Sequence, residues 1–352
     1  MRYRTLGTTG VKVSVMGLGA MSLVAAADGS REAAARVVHR ALDAGINLID
    51  TADVYAHGGS EELVGHALAG RRDDVILATK AHGTMGDDPN ERGNSRRWLL
   101  RACEASLRRL RTDHIDLYQI HRPDPVCDID ETLDALTSLV DAGKVRYVGS
   151  STFTGAQIVE SQWAASTHGR ARFVSEQPPY SILVRGIEDD VLPASQRHRM
   201  GVITWAPLAG GWLSGRIRET SEDRGSRTAA RLKNADLADA GLQRKLNAVD
   251  RLSALASDAG MSLPTLAVAW AAEHPAVSSV LVGPRREDQL TSLLEAADVQ
   301  LDPSHLDAID AIVPPCVDLV HDDAGRDWLY GLPVRPDPAL RRRPHTSDST
   351  PA

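Results

Sequence analysis

Asn47-Leu-Ile-Asp50-Thr-Ala-Asp-Val-Tyr55 reads as a short apolar strand that delivers a carboxylate and, five residues later, a phenol. Two more strand-like runs end in the same manner: Val75-Ile-Leu-Ala-Thr-Lys80 in a lysine and Ile115-Asp-Leu-Tyr-Gln-Ile-His121 in a histidine. Four ionisable groups therefore fall at or just past the carboxyl ends of consecutive strands. In chains that alternate strands and helices, that edge of the sheet is where sites are built.

Outward from this stretch one unit recurs: an apolar strand, a loop and an amphipathic helix. Strands are expected at 13–19, 47–52, 75–80, 115–121, 145–151, 173–177, 201–207 and 277–283. Helices are expected at 31–44, 61–69, 95–111, 130–142, 154–167, 187–199, 241–259 with 263–273, and 287–296. Eight such units, with strands apolar enough to be buried on both faces, close most naturally into a (β/α)8 TIM barrel, an α/β fold. An open doubly wound sheet is the alternative. Its glycine signature is approached only by Gly17-Leu-Gly19-Ala-Met-Ser22, which lacks the third glycine and leads into a loop. Residues 1–14 are expected to form a β-hairpin with Gly7 and Gly10 in its turn, and 209–240 a long polar loop after strand seven. The barrel domain is expected to span 1–332, and the Pro- and Arg-rich residues 333–352 to be a disordered tail.

At 352 residues and 42% hydrophobic content the chain can bury a large core. The first residues lack the apolar run of a signal peptide and nothing reaches the length of a membrane helix, so a soluble cytoplasmic protein with no membrane partner is expected. A formal charge of -7 argues against a nucleic-acid surface. Cys103, Cys127 and Cys316 are widely separated, which points to reduced thiols and no metal site. The expected partner is a small molecule.

The four strand-end groups suit one chemistry. Reducing a carbonyl by hydride transfer leaves a developing alkoxide that needs a proton, and a phenol supplies it if its pKa of about 10 is brought down. An ammonium roughly 4 Å away, worth about 4 kcal/mol at an effective dielectric of about 20, does that. Tyr55, Lys80 and Asp50 provide the acid, the ammonium and the anchor, and His121 can orient the carbonyl or share the proton. Each residue has an ordinary alternative. Asp50 can cap a helix, Tyr55 can pack, Lys80 can be a solvated charge and His121 a satisfied core histidine.

The motifs Asp50-Thr-Ala-Asp-Val-Tyr55, Gly59-Ser-Glu-Glu-Leu-Val-Gly65, Ala78-Thr-Lys80, Ser106-Leu-Arg-Arg-Leu110, Asp113-His-Ile-Asp-Leu-Tyr-Gln-Ile-His121, Gly143-Lys-Val-Arg-Tyr-Val-Gly149 and Gly210-Gly-Trp-Leu-Ser-Gly215 resemble those of the aldo-keto reductase superfamily. The resemblance covers roughly residues 2–312 and implies a barrel that holds a nicotinamide cofactor, with a catalytic tetrad on Asp50, Tyr55, Lys80 and His121. It also implies carboxamide contacts at Ser151, Thr152 and Gln177, with Thr152 standing where the family has asparagine. Trp205 takes the place of the stacking aromatic, and Pro207, Leu208, Gly211 and Leu213 that of the pyrophosphate strand and loop. Gly283, Arg285 and Gln289, with Arg286, match the adenosine-phosphate loop, which favours NADPH over the alternative NADH, while Ser292-Leu293 departs from the family pattern. Met21, His82 and Trp212 are candidates to touch a small carbonyl substrate. Besides a carbonyl reductase, the resemblance admits a cofactor-binding regulatory protein similar to potassium-channel β subunits.

Overall fold

The computed structural model describes residues 1–25, 30–216 and 239–319. Strands β1 (Tyr3–Thr5) and β2 (Lys12–Ser14) form an antiparallel hairpin. Eight strands then close into one barrel: β3 (Met16–Gly19), β4 (Leu48–Asp50), β5 (Ile76–Ala81), β6 (Ile115–Ile120), β7 (Val145–Ser151), β8 (Phe173–Gln177), β9 (Gly201–Thr204) and β10 (Val277–Val282). Each pairs in parallel with its sequence neighbours and β10 returns to β3, which excludes the open sheet. The chain is a (β/α)8 TIM barrel.

Ten α-helices are found among the described residues: α1 (Arg31–Asp43), α2 (Gly59–Ala67), α3 (Arg96–Leu110), α4 (Ile129–Asp141), α5 (Gly155–His168), α6 (Val191–Arg197), α7 (Ala240–Asp258), α8 (Leu263–Glu273), α9 (Glu287–Leu294) and α10 (Pro303–Ile312). Side-chain N-caps start most of the wall helices, with Ser30, Ser95, Asp128, Thr154, Asp239 and Ser262 each accepting from a backbone N–H of the first turn. No single described helix is long and apolar enough to cross a membrane.

Three expected elements are corrected. The run 13–19 is divided between β2 in the hairpin and β3 in the barrel, because the chain must leave the floor and enter the wall. The seventh barrel strand ends at Thr204, after which Trp205 makes only an isolated bridge to Pro179. The expected helix 187–199 begins at Val191, since Pro193, which lacks an N–H and crowds the turn before it, is tolerated only within the first helical turn. The 3-10 turn Ala20–Ala25 and helix α10 lie outside the expected elements, although Asp302-Pro303 ahead of Leu306, Ile309 and Ile312 is a helix-start signal. The expected long loop is described only as far as Arg216 and from Asp239, and the expected tail at 333–352 lies outside the described residues.

Two apolar layers hold the barrel. The larger lies between strands and helices, and the smaller fills the interior with Leu6, Val13, Leu48, Ala78, Leu117, Ile203 and Leu281. Leu6 and Val13 come from the hairpin, so it plugs the amino-terminal end. Gly7 permits this approach: its φ is 55°, and a Cβ there would sit 2.5 Å from the Val174 carbonyl oxygen. Leu6 is fully buried, so Leu6→Ala is expected to cost about 2–5 kcal/mol. Urea denaturation would register this as a lower midpoint with an unchanged slope.

Candidate active site

Side chains alternate across a strand, so the residue two positions beyond an interior apolar one also points inward. Leu48 is followed by Asp50, Ala78 by Lys80 and then His82, and Leu117 by Gln119 and then His121. The register sets Lys80 beside Gln119 and Ser151 beside Gln177. A polar layer therefore caps the apolar one at the carboxyl end of the barrel.

Lys80 and Asp50 lie at its centre, both buried. The Lys80 Nζ donates to Asp50 Oδ1 in a short contact and to the Thr51 carbonyl at 2.9 Å. Asp50 Oδ2 accepts from Gln119 Nε2 at 3.1 Å and from Gln177 Nε2 at 2.8 Å. Burial works against the charged ammonium, but Asp50 and Tyr55 outweigh it and Lys80 is held above the ordinary lysine range. The Tyr55 ring centroid lies 5.2 Å from Nζ, and the His121 ring meets it edge-on at 5.6 Å and 81°. Burial, helped by Lys80, Arg122 and His82, pushes the His121 imidazole well below its usual pKa, so it is neutral at pH 7.

The loop that carries Tyr55 is unusual. Ala56, His57 and Gly58 all have positive φ, at 51°, 50° and 93°. Two non-glycine residues in this region cost energy that the surroundings must offset. The support comes from below, where buried Glu61 accepts from Arg109 Nε at 2.6 Å and from Thr79 Oγ1 at 2.6 Å. Gly58 is required there, since a Cβ would approach Arg109 Cδ to 2.5 Å. Asp53 lies in the same region, and burial together with Glu61 pushes its carboxyl up to about 7.

The residues expected to hold a cofactor surround this core. Ser151 Oγ donates to the Gln177 carbonyl at 2.9 Å. Thr152 has φ 62°, an outlier for a β-branched residue, and its Oγ1 accepts from Arg122 at 2.9 Å. Behind it the buried Glu176 accepts from the Phe153 N–H at 3.0 Å and from Ser150 Oγ. Burial pushes Glu176 up to about 8. Trp205 is half-buried at the mouth, packed on the interior apolar cluster with its ring centroid 6.0 Å from the Arg122 guanidinium carbon. Pro207, Leu208, Gly211 and Leu213 follow in a turn whose Ala206, Ala209, Gly210 and Gly211 all have positive φ.

At the start of α9, Gly283 is exposed and Arg285 half-buried, with the Arg285 N–H donating to Gln289 Oε1 at 2.9 Å. Arg286 is engaged bidentately by Asp288. Met21 is 43% exposed on the turn after β3 and His82 is partly buried at the mouth. Trp212 is instead buried in the core, beneath Lys245 at 4.2 Å. Sequence reasoning missed Gln119, Glu176 and Asp53. Gln119 was open to discovery, since it shares the inward face of its strand with His121, whereas nothing in the sequence marks Glu176 as an anchor.

A model of the Aldo/keto reductase family matches residues 15–314. An uncharacterized oxidoreductase, YrpG of Bacillus subtilis, is 36% identical over 89% of this chain and 96% of its own length. A probable voltage-gated potassium channel subunit beta of Oryza sativa is also 36% identical, over 89% of this chain and 97% of its own. Aldo-keto reductase YhdN of Bacillus subtilis is 35% identical over 84% and 88%. The chain belongs to the aldo/keto reductase family.

Proposed function

We propose that this protein reduces an aldehyde or ketone to the alcohol with NADPH, Tyr55 acting as the general acid. The observation that carries this reading is the buried Lys80–Asp50 pair lying against Tyr55, with a neutral His121 at the edge of the phenol. The bound nicotinamide would supply the hydride. Tyr55 then gives its proton to the carbonyl oxygen, and the ammonium of Lys80 stabilises the phenolate left behind. Asp50 keeps Lys80 charged and in place, and Gln119 and Gln177 hold Asp50. His121, being neutral, can donate an N–H to the carbonyl oxygen without setting a second cation beside Lys80.

The residues at the mouth fit such a cofactor. Ser151, Thr152 and Gln177 are polar groups suited to a carboxamide, and half-buried Trp205 is suited to stacking on the nicotinamide. The positive-φ turn at 206–211, with Pro207, Leu208, Gly211 and Leu213, is the backbone that would receive the pyrophosphate. Gly283, Arg285 and Gln289 would hold the adenosine end, and the arginine beside a helix start supports NADPH. A second reading, a cofactor-carrying regulatory subunit, is favoured by the likeness to the Oryza sativa protein. It predicts tight NADPH binding with no turnover on any carbonyl.

Two measurements test this account. Tyr55→Phe is expected to lower kcat about 10²–10⁴-fold in a steady-state carbonyl assay while NADPH affinity is kept; unchanged turnover would sink the assigned acid. The second concerns Glu176. Its folded pKa of about 8 lies above the unfolded value of about 4.3. Its contribution to stability is therefore complete in acid and lost as pH rises through about 8. Asp53, raised to about 7, acts in the same direction. Thermal unfolding of Glu176→Gln should show a smaller loss of Tm between pH 5 and pH 8.5 than the unsubstituted protein, with NADPH binding less weakened at the alkaline end.

A further inference from the structure

Outside the barrel wall, a cavity of about 330 Å³ opens between Asp53, two residues before Tyr55, and one face of α3. Met85 and the helix residues Trp98, Ala102 and Ala105 give it an apolar lining, the three at the spacing that sets side chains along one helix face. Asp53 is fully buried, and neither of its carboxyl oxygens has a hydrogen-bond partner. Its carboxyl is turned toward the helices. Glu61 on α2 and Arg109 on α3 both act on its charge, and that charge is felt by Tyr118, on the outward face of β6 opposite to Leu117 and Gln119.

A buried carboxyl with two empty acceptor positions is rare in a folded interior. The neighbouring cations are already engaged. Arg109 donates from Nε to Glu61 at 2.6 Å and from Nη2 to Ser106 at 3.3 Å, and Lys80 is held by Asp50 and the Thr51 carbonyl. Asp53 and Glu61 thus share a single guanidinium, and the buried end of the cavity is short of one positive charge. At the rim Arg101 is paired with Glu91 and Glu104 with Lys144, while Arg108 is exposed, where water and salt screen it. Among the described residues no three His, Cys, Asp or Glu side chains are grouped to hold a metal ion, so the missing charge has to arrive with N–H donors.

We propose that this cavity binds a small planar organic cation, an amidinium or guanidinium on a compact apolar body, whose paired N–H groups donate to the two oxygens of Asp53. The site is separate from the barrel mouth and does not rest on the reductase reading.

Benzamidine and benzamide share a shape and differ in charge, and calorimetric titration of the full chain with each tests the site. Benzamidine should bind saturably, and benzamide at least about ten-fold more weakly. Because the cation needs Asp53 ionised, in the presence of Glu61, Arg109, Lys80 and Tyr118 around it, affinity should level off above pH 7. Below that it should fall by up to about ten-fold per pH unit. Asp53→Asn, of the same shape, should lose at least about ten-fold in benzamidine affinity and the pH dependence with it. Ala105→Leu, which keeps a helix-favouring residue and leaves Asp53 in place, should weaken both compounds by narrowing the cavity. Absence of saturable benzamidine binding, which would leave a cavity filled by water alone, would overturn the assignment. So would equal affinity for the two compounds, or binding that survives either substitution.

Discussion

An ammonium and a carboxylate buried together at the centre of a barrel are stable only while both are present. The Lys80–Asp50 pair lies in the polar layer above the apolar interior, cut off from water. Removing either partner from such a pair leaves an uncompensated charge and typically costs about 3–5 kcal/mol. The amides of Gln119 and Gln177 complete the hydrogen bonding of Asp50, and the Thr51 carbonyl takes a further donor position of Lys80. The barrel thus supplies an oriented positive charge that a phenol can rest against without reorganisation.

Most of what surrounds the pair holds the phenol over it. The three positive-φ residues after Tyr55 form a bend that the chain would not choose by itself, and the Glu61–Arg109 bridge beneath it makes the bend tolerable. Thr152 repeats the pattern on the opposite rim, where Arg122 bonds its hydroxyl and Glu176 anchors the next backbone N–H. Strained backbone at the mouth and acidic groups displaced toward neutral pH occur together, because both arise where buried groups are arranged for a site and not for the core.

The barrel was legible because short strands apolar enough to be buried on both faces alternate with amphipathic helices, and the four candidate positions because each falls at or beyond a strand end. Asp50, Lys80 and His121 needed no tertiary information beyond the direction of the strands. Other features needed the folded chain. Strand β9 stops short where Trp205 keeps only an isolated bridge to Pro179 and Ala206 takes a positive φ, and Trp212 is drawn inward under Lys245, a contact with α7 that no local pattern announces. The orientation of His82 depends on an amide twelve residues later, which in turn depends on a carbonyl from the next strand's end. Glu176 and Asp53 read as ordinary acidic residues until burial is known.

If Asp50 acts only by holding Lys80, the two cannot contribute independently to the rate. A double-mutant cycle on kcat for carbonyl reduction, comparing Asp50→Asn, Lys80→Met and the double variant, tests this directly. The account predicts that the double variant is no slower than Lys80→Met alone. Losses that add in free energy would contradict it.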